Sequence, residues 1–73
     1  MEIQDLAKIL HDMYIEAPKG DQVAKIILFG ITYHKELEQF KVKDIVERSG
    51  ISPKYVTEVS KGRKLAKYVV AMV

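Results

Sequence analysis

Few side chains in this chain have the types and spacing that do covalent or metal chemistry. His11 stands beside Asp12, and His34 lies four residues before Glu38, a spacing that suits a ligand pair on one helix face. Two histidines on separate segments, with no third ligand nearby, favour ordinary packing instead. Ser49 and Ser60 have no base placed beside them in sequence. No glycine-rich phosphate loop, nucleophile elbow or paired acid and base is present. The expectation is therefore no enzyme, no metal and no cofactor. What the chain does concentrate is positive charge. Residues 1–40 carry four lysines against seven acids, a net of −3, while residues 41–73 carry eight basic residues against three acids, a net of +5. A split of this kind points to a second half that faces a polyanion, although helices with solvated lysines produce the same split.

The elements that must position these groups read as helices. Ile3, Leu6, Ala7, Leu10, Met13 and Tyr14 recur at helical spacing and form one apolar stripe, which Ala17-Pro18-Lys19-Gly20 ends. Asp21 is a favoured N-cap for a second helix of roughly Gln22 to Gln39. Val23, Ile26, Ile27, Ile31 and His34 lie on one side of it, and Leu28 and Phe29 widen the stripe, which predicts a central, most buried helix. Gly30 inside it is costly unless another helix packs closely there. A short third helix is predicted from about Val42 to Ser49, with Val42, Ile45 and Val46 inward. Gly50 can take the left-handed conformation that stops a helix. Ser52 as N-cap and Pro53 in the first helical position start a fourth, of about residues 52–61, with Val56 and Val59 inward and Gly62 closing it. A last helix is predicted over about Arg63 to Met72. No segment alternates over enough residues to form a sheet, so the fold class is all-α: a compact bundle of about five short helices, in one domain over residues 1–73.

Size and composition narrow the functional classes. The chain has 73 residues, of which 48% are hydrophobic and 30% charged, ordinary proportions for a globular domain. A core this small supplies only a few kcal/mol, and with no cysteine there is no disulfide to reinforce it. Helix packing and a partner chain are the remaining means, so a homodimer is expected. The polar, acidic start differs from a secretory signal, and Ala24 to Ile31, interrupted by Lys25 and Gly30, is too short to span a bilayer. A cytoplasmic location is expected.

The stretch Val42-Lys43-Asp44-Ile45-Val46-Glu47-Arg48-Ser49-Gly50-Ile51-Ser52-Pro53-Lys54-Tyr55-Val56-Thr57-Glu58-Val59-Ser60-Lys61 resembles the helix-turn-helix of bacterial and phage DNA-binding repressors. In a twenty-residue window that family has apolar residues at the fourth, tenth, fifteenth and eighteenth places and glycine at the ninth. Ile45, Ile51, Val56, Val59 and Gly50 occupy those places here. The apolar positions clamp two helices at a steep angle, and the glycine permits the tight turn between them. Two places depart from the pattern. Val46 replaces the small residue at the fifth and is expected to push the helices apart, and Ser49 replaces an apolar residue at the eighth.

The resemblance implies that residues 52–61 enter the major groove of double-stranded DNA. Outward side chains are then Ser52, Lys54, Tyr55, Thr57, Glu58 and Lys61. Thr57 can bond a base edge or touch a thymine methyl, Glu58 can accept from cytosine, and Lys54 can reach guanine. Ser52 and Tyr55 suit phosphates. Lys61, Arg63, Lys64 and Lys67 suit the backbone of one strand, and Lys41 and Lys43 that of the other. Each has a plainer alternative. Lys54 and Lys61 are equally readable as solvated lysines, Glu58 as an ion-pair partner of Lys54, and Tyr55 as packing over the third helix.

The end of the chain, Val69-Val70-Ala71-Met72-Val73, is apolar and needs covering. Leu65, Tyr68, Val69 and Met72 are the candidate dimer interface, with Tyr33 and Phe40 as further contributors. In the alternative, the last helix folds back on its own core through Leu65, Val69 and Met72. The expected function is sequence-specific binding of double-stranded DNA by a small dimeric transcriptional regulator. The rival is a protein-interaction module that keeps the fold without using DNA, supported by the acidic first half and by Glu58 on the reading face. An amphipathic C-terminal helix on anionic membrane, with Lys64 and Lys67 beside Leu65 and Val69, ranks last.

Overall fold

Helical periodicity in the sequence becomes five α-helices in the computed structural model, which describes residues 1–71. They are α1 (Ile3–Glu16), α2 (Gln22–Thr32), α3 (His34–Leu37), α4 (Val42–Ser49) and α5 (Val56–Leu65), with one 3-10 turn over Pro53–Tyr55 leading into α5. Among the described residues there is no strand, and the protein is an all-α bundle. No helix among them is long and apolar enough to cross a membrane.

The core is built from one stripe per helix. Leu6 and Leu10 of α1, Ile26 and Phe29 of α2, Leu37 of α3, Ile45 and Val46 of α4, and Val59 of α5 are all fully enclosed. Enclosing a side chain the size of Phe29 contributes about 1.5–3 kcal/mol. The packing is pairwise: α1 lies on α2 and α4, and α2 lies on α5. α4 buries Val42, Ile45, Val46 and Ser49 and exposes Lys43, Asp44, Glu47 and Arg48, an amphipathic division that follows the helical repeat.

The boundary between α2 and α5 is unusually close. A Cβ built on Gly30 would lie 2.9 Å from the Gly62 Cα and collide with the Val59 carbonyl oxygen. One built on Gly62 would lie 2.8 Å from the Gly30 Cα and collide with the Ile27 carbonyl oxygen. The two helices therefore cross backbone against backbone, and only glycine fits on either side. Close packing at Gly30 is as expected. Gly62 differs from the expectation, because it sits within α5 and does not close it.

Three further expectations are corrected. The predicted helix of Gln22 to Gln39 is two, broken at Tyr33, whose φ of −107° and ψ of 23° leave the α region. The His34 ring donates from Nδ1 to the Ile31 carbonyl at 2.9 Å, an acceptor that a continuous helix gives to its own backbone. Secondly, α2 is not enclosed around its girth. Ile26, Phe29 and Gly30 are buried, whereas Val23 remains 45% exposed and Ile27 and Ile31 are half-buried, because α1 and α5 cover only part of its circumference. Thirdly, no separate helix forms over 63–71. The segment from Arg63 to Leu65 completes α5, a turn over 66–68 follows, and Val69 to Ala71 are irregular. β-Branched and aromatic residues at 68–70 favour a helix weakly, and with no helix face beneath them they do not hold one. Met72 lies outside the described residues.

Candidate nucleic-acid interface

The joint between α4 and α5 is set mainly by hydrogen bonds local to the chain. Gly50 takes φ 82°, the left-handed conformation that ends α4. The Ser49 hydroxyl, almost fully buried, donates to the Val46 carbonyl at 2.6 Å and accepts from the Ile51 N–H at 3.3 Å. A polar residue in an apolar place is thus satisfied by the turn itself. From the other side, His11 of α1 donates from Nδ1 to the Ser49 carbonyl at 3.0 Å, tying the joint to the first helix. Val46 is wholly buried at this joint.

Beyond the turn, the Ser52 hydroxyl accepts from the Lys54 N–H at 3.4 Å and Pro53 opens the 3-10 turn, as their types predict. Asp21, by contrast, holds the N-cap position of α2 without a side-chain cap bond. The second helix of the motif then consists of the 3-10 turn and α5 together. Ser52, Lys54, Thr57, Lys61 and Lys64 are exposed, and residues 54, 57, 61 and 64 recur at steps of three and four, which places them along one face. Lys41 and Lys43 are exposed at the start of α4, and Arg63 is half-buried.

Two outward expectations are corrected. Tyr55 is half-buried, its ring centroid 5.5 Å from that of Tyr14 on α1, so it packs on the first helix and does not project to solvent. The Lys54 ammonium lies 5.2 Å from the Tyr55 ring centroid, a cation–π contact that holds its stem across the turn. Hydrogen bonding with the Tyr55 side chain raises the Tyr14 phenol above its ordinary 10.0, with the Tyr55 charge and burial acting in the same sense and Lys54 opposing. Glu58 is also half-buried and pairs with Lys61 at 3.5 Å, not with Lys54.

The surface also holds two shallow grooves, one of them sharing Lys64 with this face, and sequence spacing could not have assembled either. One, of about 530 Å³, is lined by His34 of α3, by Glu38 just after it, and by Ser60, Arg63, Lys64 and Lys67. The other, of about 300 Å³, lies between α1 and α4 and brings Lys8, His11 and Arg48 together. Lys8 and His11 belong to the acidic half of the chain, so a charge count by halves hides them. Both histidines spend Nδ1 on a backbone carbonyl. Among the described residues no three histidine, aspartate or glutamate side chains are placed to hold a metal.

The apolar end behaves differently from the rest of the surface. Leu65 is 41% exposed, Tyr68 82%, Val69 46% and Val70 87%. Leu65 and Val69 thus do not fold back onto the core of the same chain. With α5 ending at Leu65, Lys64 and Lys67 do not share an amphipathic membrane helix with Leu65 and Val69 either.

No curated protein and no solved structure matches the chain significantly. A family described as an HTH-like domain matches residues 2–72, nearly the whole chain. With the two helices, the left-handed glycine and the apolar clamp in place, the chain belongs to this HTH-like domain family.

Proposed function

We propose that the chain acts as one helix-turn-helix domain that binds double-stranded DNA in sequence-specific fashion as a homodimer and regulates transcription in the cytoplasm, with no enzymatic activity. The observation that carries this reading is the exposed face of Lys54, Thr57, Lys61 and Lys64 on the second helix of the motif. Three cations around one short polar side chain suit a groove whose walls are phosphates and whose floor is base edges. Lys41 and Lys43 reach the opposite strand, Arg63 and Lys64 the nearer one, and Thr57 discriminates among bases. Ser52 and Lys54 contact the duplex at the entry to the helix. Tyr55 acts from beneath through Lys54, and Glu58 sets the position of Lys61. The dimer forms through Leu65, Tyr68, Val69 and Met72, and sets two reading faces about 34 Å apart, one duplex turn.

Fluorescence anisotropy with random duplex at two salt concentrations tests the reading. Binding that weakens steeply with salt is expected, because each phosphate contact releases counterion. Lys61→Ala with Arg63→Ala lowers affinity for every sequence and flattens the salt slope by about two, one for each cation removed. Thr57→Ala relaxes sequence choice instead. Absence of binding at low salt overturns the reading. It would favour the second one, a protein-interaction module, which draws on the Glu58–Lys61 pair that neutralises a lysine on the reading face.

A further inference from the structure

The groove between α3 and α5 gathers further groups around the Arg63 and Lys64 that the duplex reading already uses. Arg63, Lys64 and Lys67 line it with Ser60, and His34 of α3 and Glu38 just after that helix line it from the other side. Among the described residues the ion pairs are Lys8–Asp12 and Lys61–Glu58, so none of the three groove cations has a carboxylate within bonding distance. Glu38 faces them across the open space without closing on any. Cations gathered along one wall repel one another, and a dianion seated between them removes that repulsion. Three positive groups against one carboxylate leave a surplus of two charges, which suits one phosphate monoester or two neighbouring backbone diesters.

His34 adds a condition. Its Nδ1 donates to the Ile31 carbonyl, which accepts only, so the neutral ring carries its hydrogen there and leaves Nε2 a bare lone pair. An oxyanion meets a second acceptor in that state. Only the protonated ring has an Nε2–H to donate. The charged groups lining the groove with it are Glu38 just past the end of α3, Arg63 and Lys64 on α5, and Lys67 in the turn after it.

We infer that this groove binds a phosphate group, with Arg63, Lys64 and Lys67 supplying charge, Ser60 a hydroxyl, and His34 a donor only in its protonated form. The site shares Arg63 and Lys64 with the duplex reading but does not depend on it. The phosphate has two sources that share its oxygens as acceptors: the backbone of bound DNA, whose diesters carry one charge each, or a free phosphate monoester, which carries about two.

The test is a backbone and imidazole NMR titration of the full chain with sodium sulfate, against chloride at equal ionic strength. Sulfate keeps the same charge from about pH 6 to about pH 8, so a pH effect between them belongs to the protein. Saturable shifts are expected at Ser60, Arg63, Lys64 and the His34 ring, with severalfold tighter binding at the lower pH. Arg63→Ala is expected to weaken binding about tenfold, the scale of one charged hydrogen bond. His34→Gln removes the pH dependence, and Lys19→Ala, in the α1–α2 turn, changes nothing. Should His34→Gln disturb the α2–α3 break, the pH comparison on the unaltered chain still decides. No saturable shift, or shifts spread equally over Lys19, Lys25 and Lys35, overturns the inference. A duplex that displaces sulfate identifies the DNA backbone as the source, and one that binds beside it identifies a free ligand; both sustain the site. Sulfate binding without duplex binding sustains the groove and overturns the DNA reading, while duplex binding with a silent groove does the reverse.

Discussion

α5 is held from two sides by joints of opposite kind. At the α4 side, Ser49, Gly50, Ile51, Ser52 and Pro53 form a turn whose side-chain hydrogen bonds stay within a few residues, with the His11 bond to the Ser49 carbonyl as a long-range tie. At the α2 side, Gly30 and Gly62 come together from 32 residues apart, and contact is between backbones with no side chain between them. The first joint sets where the chain turns. The second sets how closely the helix lies on its support, and therefore where its outward residues stand. A local joint tolerates a changed side chain if its backbone shape survives. A backbone crossing has nothing soft to yield.

The largest effect should come from Gly62→Ala. Alanine favours a helix over glycine by about 1 kcal/mol, but its Cβ would collide with the Ile27 carbonyl oxygen and the Gly30 backbone. The collision wins, and the expected loss is about 3 kcal/mol in a denaturant-unfolding measurement. Gly30→Ala should behave alike, and the double substitution should cost less than the sum because both alter one contact. Stability equal to or above that of the unaltered protein would show that the crossing is not close-packed.

Ser49→Ala tests the local joint at its buried point. The hydroxyl accepts from the Ile51 N–H, so its removal leaves that donor without its partner in the core, at a cost of about 1.5 kcal/mol. A negligible change would mean that water or a shifted turn replaces the bond.

Gly50→Ala should be smaller still, about 1 kcal/mol, because a Cβ there meets nothing within 4 Å and the penalty is only that of φ 82°. Gly50→Asn should recover part of it, since asparagine visits the left-handed region more readily. If Gly50→Ala proves as damaging as Gly62→Ala, the distinction between the two joints fails.

Much of the local joint was legible in advance. Gly50, Ser52 and Pro53 each favour one backbone conformation for reasons internal to the residue, and Val42 to Ser49 repeats with one helical period. Ser49 was legible as a departure, but not how the turn would satisfy it. The site was read less completely. Exposure of Lys54, Thr57 and Lys61 followed from the inward positions of Val56 and Val59. Tyr55 was misplaced because its partner, Tyr14, lies on another helix. Glu58 had lysines on either side along the helix, at 54 and 61, and spacing alone could not choose between them.

By itself the chain determined its helical class, the helix-turn-helix and the basic character of its second half, because propensity, capping and period act over a few residues. Tertiary structure decided what depends on distant residues meeting. It paired Gly30 with Gly62 and kept α5 helical through a glycine that local propensity reads as a stop. It set His34 across a groove from Arg63 and Lys64. It also left residues 68–70 without a supporting face, so that a helix favoured by pattern did not form. Short-range preferences are additive along a chain, whereas close approach and enclosure belong to pairs, and one sequence of residues does not name its pairs.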